Sequence, residues 1–241
     1  MKRNHNEDNF SIIEESGLYV VADGMGGHAS GEVASQMAVD SLRDFFQSTS
    51  SDPERTWPYK MDRGKGYEEN RLITGIKLAN LRIFETAQRD AKQRGMGTTL
   101  VALFAVEEGV YVAHVGDSRI YRVRAGKIEQ LTEDHSLLND YIKMKRLTAE
   151  EIANFPHKNV IVRALGMKDT VKVDTRFEKP MEDDIYLLCS DGLSGPVTDE
   201  QILEICTTAP DIKAAATQLI ERANENGGPD NITVVLARWV V

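Results

Sequence analysis

The sequence predicts an α+β domain built in layers. Short β-rich runs joined by glycine turns fill much of the N-terminal half. Two long helical patterns interrupt them, and later strands alternate with shorter helices. No internal repeat, low-complexity tract or composition break divides the 241 residues, so a single domain is expected.

Phe10–Glu14 and Leu18–Ala22 flank Ser16-Gly17, and Leu100–Val106 and Val110–Val115 flank Glu107-Glu108-Gly109. Arg119–Arg124 and Lys127–Leu131 flank Ala125-Gly126. Each pair reads as an antiparallel hairpin. Helical spacing covers about 31–46 and about 69–94, with a polar, proline-containing loop at about 48–67 between them. The charged stretch of about 133–168 reads as helices in pieces forming an appended flap, with Thr148 as the N-cap of TAEEIANF. Strands are expected near 171–177, 185–189 and 232–239, and helices near 199–206 and 211–224.

Composition narrows the function classes. With 41% hydrophobic and 28% charged residues the chain is ordinary for a globular protein. No apolar run reaches the ~18 residues of a membrane span, and MKRNHNEDNF is too polar for a signal peptide, so a cytoplasmic location is expected. A net charge of −9 argues against general nucleic-acid binding. Cys189 and Cys206 form no CxxC pair, and the sixth positions after them hold Gly195 and Ile212. A cysteine-phosphatase mechanism, which needs arginine there, is excluded.

The stretch YVVADGMGGHASGE admits two readings. G-M-G-G-H-A fits the loose dinucleotide-binding pattern, but that loop belongs to a parallel βαβ unit. Here the preceding strand is the second arm of a hairpin, and the only acid near the required distance, Asp44, falls within a helical pattern. The other reading is the edge of a metal site. Three apolar runs end at Asp23-Gly24, Asp117-Ser118 and Asp191-Gly192, and Asp230 precedes the last strand. A lone Asp-Gly is usually a turn or a helix cap. Four aspartates at strand ends would repel one another unless cations compensate, and hard divalent ions take oxygen ligands. Glycine lets the backbone approach closely, which makes the Gly24 carbonyl a further candidate ligand. Histidine and cysteine show no zinc spacing.

RNHNED (Arg3–Asp8), VADGMGGHASGEVAS (Val21–Ser35), GTTL (Gly97–Leu100) and HVGDSRIYRVRAGKIEQLTEDHS (His114–Ser136) resemble the metal-dependent protein phosphatases. RALG (Arg163–Gly166), LLCSDGLSGPVTDEQI (Leu187–Ile202) and GGPDNITVVL (Gly227–Leu236) extend the resemblance in order over essentially the whole chain. The class is phosphatase 2C, in its compact bacterial form. The resemblance implies a four-layer α-β-β-α sandwich, two antiparallel sheets flanked by helices, with a dinuclear metal site at one end. It implies hydrolysis of phosphoserine and phosphothreonine in proteins by metal-activated water, with no phosphoenzyme. Mn²⁺ or Mg²⁺ is implied, two ions and a weaker third. The implied partners are phosphorylated proteins and a cognate Ser/Thr kinase, with no nucleic acid or membrane and a monomer by default. The rival reading of the same fold is a catalytically weak scaffold or sensor that binds phosphoproteins.

By the same resemblance Asp23 bridges two metals, with the Gly24 carbonyl on the first and Asp191 and Asp230 on the second. Asp117 with Asp191 would hold the third. Glu7 and Asp8 are implied partners of metal-bound water, Asn231 supports them, and Arg3 is the phosphate clamp. His28 is the candidate acid for the leaving alkoxide, because a histidine pKa lies near neutrality. Family members with an acid there place it directly after Asp-Gly, whereas Met25-Gly26-Gly27 intervene here. His114, inside an apolar run, is expected in the core, and His135 is expected to begin the flap. Lys143, Lys145, Arg146, Arg163 and Trp57 are candidate contacts for substrate flanks. Relatives carry one more strand before the arginine; with only Met1 and Lys2 there, a neighbouring strand edge is expected to stay open and Arg3 to be loosely held.

Overall fold

The computed structural model describes residues 3, 5–26, 30–51, 56–145, 147–153, 155–156 and 160–240. The first strands are β1 (Asp8–Ile13) and β2 (Leu18–Met25), followed by helices α1 (Ser30–Ser51) and α2 (Tyr67–Arg89). Then come β3 (Gly97–Thr98), β4 (Leu100–Val106), β5 (Gly109–Val115), β6 (Arg119–Arg124) and β7 (Lys127–Gln130). Helices α3 (Leu137–Lys145) and α4 (Ala149–Ala153) precede β8 (Asp174–Glu178) and β9 (Ile185–Cys189). Helices α5 (Asp191–Ser194), α6 (Asp199–Thr208) and α7 (Ile212–Glu225) lead to β10 (Val234–Arg238).

Two antiparallel sheets form. One runs β1-β2-β4-β5-β8 with β3 beside β2; the other runs β10-β9-β6-β7. Three buried clusters fill the three gaps between four layers. Ala34, Ala38, Leu42 and Phe46 recur every fourth residue on α1 and pack with Leu72, Ile76 and Ile83 of α2 onto Leu18, Val20 and Ala22. Val21, Val101, Leu103, Leu188 and Val235 fill the space between the sheets. Leu187, Cys189, Ile202 and Leu219 bury the second sheet under α6 and α7. The alternation explains why β2 is apolar on both faces: even positions face the helices and odd positions face the other sheet.

Boundaries differ from the sequence expectation where side chains supply hydrogen bonds that periodicity does not report. The polar tail of α1 continues the helix past Phe46 to Ser51. There Ser48 and Thr49 donate to the Phe45 carbonyl and Ser50 to that of Phe46. Buried Arg71 braces the same turn, donating to Phe46 O at 3.0 Å and Thr49 Oγ1 at 2.9 Å. Helix α2 stops at Arg89, and a 3₁₀ turn at Ala91–Gln93 follows, capped by the Asp90 side chain. The strand expected near 171–177 is Asp174–Glu178, set by its antiparallel register with Val110–His114. Between the helices, Trp57 turns inward onto Phe45, ring centroids 5.9 Å apart, rather than outward.

Sheet two ends at β10, which lies across from β2, so among the described residues β1 stands at the open edge beyond it. Phe10 and Ile12, on the sheet-facing side of β1, are accordingly exposed. Among the described residues no helix is long and apolar enough to cross a membrane.

Candidate metal centre

Five aspartates converge at one end of the sandwich. Asp23 continues the Tyr19–Val21 face of β2, so the strand period aims it into the space between the sheets. Asp8 stands opposite it in the β1–β2 register. Asp117 lies in the turn between β5 and β6, Asp191 opens α5 directly after β9, and Asp230 precedes β10. Asp117, Asp191 and Asp230 line one cleft of about 330 Å³, together with Arg119 and Asp134.

Crowding of acids is legible in their proton affinities. Burial, with the neighbouring charges of Asp8, Asp191, Asp117 and Asp230, holds the Asp23 carboxyl well above the usual carboxylate range. Burial and Asp191 push Asp117 up to about 7. Asp8 and Asp191 are raised as well, by burial first and then by Asp191 and Asp230 respectively. Such a group is stable when charged only if cations offset the repulsion. Asp8 Oδ1 and Asp117 Oδ1 are buried without a hydrogen-bond partner among the described residues. Orphaned carboxylate oxygens aimed at an all-oxygen cluster fit Mg²⁺ or Mn²⁺, whereas zinc favours nitrogen and sulfur.

Backbone and hydroxyl contacts fix the carboxylates. Thr98 Oγ1 donates to the Asp23 carbonyl at 2.9 Å, and Thr99 Oγ1 accepts from the Asp23 N–H at 3.1 Å while sharing a 2.7 Å bond with Ser118. Ser190 Oγ donates to Asp8 Oδ2 at 2.8 Å and accepts from the Thr233 N–H at 3.1 Å. Asn231 ties the N-terminal segment down: its Oδ1 accepts from the Glu7 N–H and its Nδ2 donates to the His5 carbonyl, both at 3.0 Å. The Gly24 N–H donates to the Glu7 carbonyl at 3.1 Å. A Cβ at Gly24 would stand 2.1 Å from Gly31 O, and one at Gly192 would stand 1.8 Å from Asn231 O. Only glycine lets these segments meet. Thr98, Thr99 and Ser190 gained no role from the sequence, because a hydroxyl beside an aspartate carries no pattern of its own.

Arg3 is half-exposed at the rim, its Nη2 2.6 Å from Asp230 Oδ2, and that partner raises the guanidinium pKa. His28 lies outside the described residues, as do Arg146 and the Lys145 side chain.

A second cluster is tighter. Donor atoms of His114, His135 and Asp174 lie within 4.8 Å of one another. Arg163 fills this cluster: its Nη1 is 2.9 Å from His135 Nε2 and 2.8 Å from Asp174 Oδ2. The Gly116 N–H donates to His135 Nδ1, so the proton sits on Nε2 and is given to Asp174. Burial, then His114, pushes His135 down to about 4 and keeps it neutral. His114 stacks on His135 at 4.7 Å and bonds the Glu133 carbonyl, in keeping with its expected place in the core. Among the candidate substrate contacts, Arg163 pairs with Asp174 and Lys143 forms an exposed ion pair with Glu133 at 2.7 Å.

A sequence profile for the family described as Protein phosphatase 2C matches residues 2–238. The chain belongs to the protein phosphatase 2C family. This family member is 38% identical to the serine/threonine phosphatase stp of Listeria monocytogenes, over 97% of this chain and 90% of that protein. It is 37% identical to the serine/threonine protein phosphatase PstP of Mycobacterium tuberculosis, over 98% of this chain and 42% of that longer protein. The crystal structure of the PstP catalytic domain in complex with two manganese ions superposes with a TM-score of 0.81 at 36% identity. It covers 100% of this phosphatase 2C member and 94% of that chain. Stp1 of Staphylococcus aureus superposes at 0.85 with 33% identity, over 99% and 91% of the two chains. The α-β-β-α sandwich expected from the sequence is therefore the fold of this family member.

Proposed function

We propose that this phosphatase 2C member is a metal-dependent protein-serine/threonine phosphatase that hydrolyses phosphoserine and phosphothreonine in proteins without a phosphoenzyme. The observation that supports it best is the gathering of five aspartates at one end of the sandwich: Asp117, Asp191 and Asp230 line one cleft, Asp23 and Asp8 interact with them electrostatically, and two carboxylate oxygens lack a hydrogen-bond partner among the described residues. Cys189, buried with its thiol pushed up to about 12, offers no rival nucleophile. We read the chain as one catalytic domain, 1–241, with a flap at about 133–168 and a polar loop at about 48–67. A cytoplasmic monomer acting against a cognate Ser/Thr kinase completes the proposal.

Asp23, the Gly24 carbonyl, Asp191 and Asp230 would hold two Mn²⁺ or Mg²⁺ ions. Asp117 with Asp191 would hold a weaker third. Bound there, such ions lower the pKa of water and offset charge on phosphoryl oxygens. The chain's own residues orient the reactants. Asp8, held through Oδ2 by the Ser190 hydroxyl, keeps Oδ1 as a buried acceptor for a water O–H. Glu7, held by Asn231 and Gly24, stands beside it. Arg3 presents a planar fork to two phosphoryl oxygens, and His28 is the proposed proton donor to the leaving alkoxide.

The deciding assay is hydrolysis of p-nitrophenyl phosphate and a phosphothreonine peptide with Mn²⁺, with Mg²⁺ and with EDTA. Turnover that EDTA abolishes and Mn²⁺ restores is expected; turnover indifferent to EDTA would sink the proposal. Arg3→Lys is expected to raise KM for the phosphopeptide about tenfold, since an ammonium cannot fork two oxygens; an unchanged KM removes Arg3 from the clamp. Ser190→Ala loses the bond that orients Asp8, and calorimetric titration should show Mn²⁺ affinity falling about 10–100-fold. Unaltered affinity would mean that Asp8 needs no such support.

A further inference from the structure

Two cavities meet beneath α3. The cleft holding Asp117, Asp191 and Asp230 shares Arg119, Asp134, Ser136 and Leu138 with a second cavity of about 500 Å³. That second cavity runs between the β7 end of sheet two and the two flap helices, where Ile142 of α3 and Ile152 of α4 form part of its wall.

Polar groups along this passage already serve one another. Arg119 forks Asp134 through Nε at 2.9 Å and Nη2 at 2.7 Å, and its Nη1 donates to the Tyr121 hydroxyl. Gln130 Nε2 donates to the Thr132 carbonyl and to Asp134 Oδ1. Thr132 Oγ1 accepts from the Ile120 N–H, Asn139 donates to the Asp134 carbonyl, and Glu133 pairs with Lys143. Apolar side chains complete the wall. Leu138 and Ile142 stand four apart on one face of α3, and Ile152 comes from α4; all three are only half-buried.

We infer that this passage seats the polypeptide flanking the phosphorylated residue, with one apolar side chain packed against Leu138, Ile142 and Ile152. The inference rests on the phosphatase reading and names the substrate class of that site. Continuity with the aspartate cleft favours substrate as the occupant: a chain whose phosphoresidue sits at the aspartates has its neighbours led under α3. An extended peptide advances about 3.4 Å per residue, so the apolar side chain belongs within a few positions of the phosphoresidue.

The test is kcat/KM, with Mn²⁺ present, for phosphothreonine peptides carrying a single leucine or alanine scanned about four positions to either side. p-Nitrophenyl phosphate, too small to enter the passage, is the control. Wild-type protein should favour leucine over alanine about tenfold at one or two adjacent positions on one side, the scale of a filled apolar pocket. Ile142→Ser and Ile152→Ser should each erase that preference while p-nitrophenyl phosphate turnover stays at the wild-type rate. A flat panel with the control substrate turned over overturns the passage and leaves the phosphatase reading standing. A preference that survives both substitutions places the apolar contact elsewhere and overturns this assignment. No turnover of any substrate removes the phosphatase reading and the passage with it.

Discussion

Asp23→Asn is expected to abolish metal-dependent turnover, by at least about a thousandfold, while raising the melting temperature of the metal-stripped protein. Both effects have one cause. The Asp23 carboxyl is buried among Asp8, Asp191, Asp117 and Asp230, each of which disfavours its charged form. An amide of the same shape removes one charge from that repulsion and with it the carboxylate proposed to hold the metal. A higher unfolding midpoint than wild type in EDTA is therefore expected for the variant. Millimolar Mn²⁺ should reverse the order, since a ligand at a hundred times its Kd adds about 2.7 kcal/mol to the protein that binds it. Thermal scans of both proteins with EDTA and with Mn²⁺ check this. If Asp23→Asn is the less stable in EDTA, or titrates Mn²⁺ as wild type does, the carboxylate is not what it is taken for.

The pH dependence of that destabilisation provides the second large effect. Asp117 is raised from 3.8 to about 7, so the folded state holds its proton more tightly than the unfolded chain does. Its favourable contribution is complete below about 4 and is lost as pH climbs towards 7, the reverse of ordinary acid denaturation. Over that window the loss is on the order of 4 kcal/mol. His135, pushed down to about 4, works in the opposite direction across the same range, so the raw stability profile mixes the two. The difference between Asp117→Asn and wild type cancels the histidine. Denaturant unfolding in EDTA should show that difference near zero at pH 4 and widening in favour of the variant up to pH 7. A difference that is flat with pH would mean that Asp117 stays charged throughout. Saturating Mn²⁺ should narrow it.

Much of this was legible in residue order. Asp23, Asp117 and Asp191 each end an apolar run, and strand geometry brings such ends to one rim of a sandwich. The hairpins around Ser16-Gly17, Glu107-Glu108-Gly109 and Ala125-Gly126 are local, and all three pair as antiparallel neighbours. What could not be read is whatever depends on partners distant in sequence. The Ser190 bond to Asp8 spans 182 positions, and the contact of Gly192 with Asn231 is visible only once α5 and β10 are packed. The pairing of Lys143 with Glu133 and of Arg163 with Asp174 likewise appears only in the folded chain. The one-turn α5 is too short for any periodicity to announce.

The flap is tied at its root. Leu137 N–H donates to the Val160 carbonyl, Val162 N–H to that of His135, and Ser136 and Ile161 form a bridge. Arg163 locks the same point to Asp174 on β8. Everything between those ties is a closed loop whose ends are held by the body of the protein. Lengthening such a loop twofold costs only about 0.6 kcal/mol in closure entropy. Changes of length between those ties therefore cost the rest of the fold little, and the strands that carry the aspartates keep their positions whatever lies between.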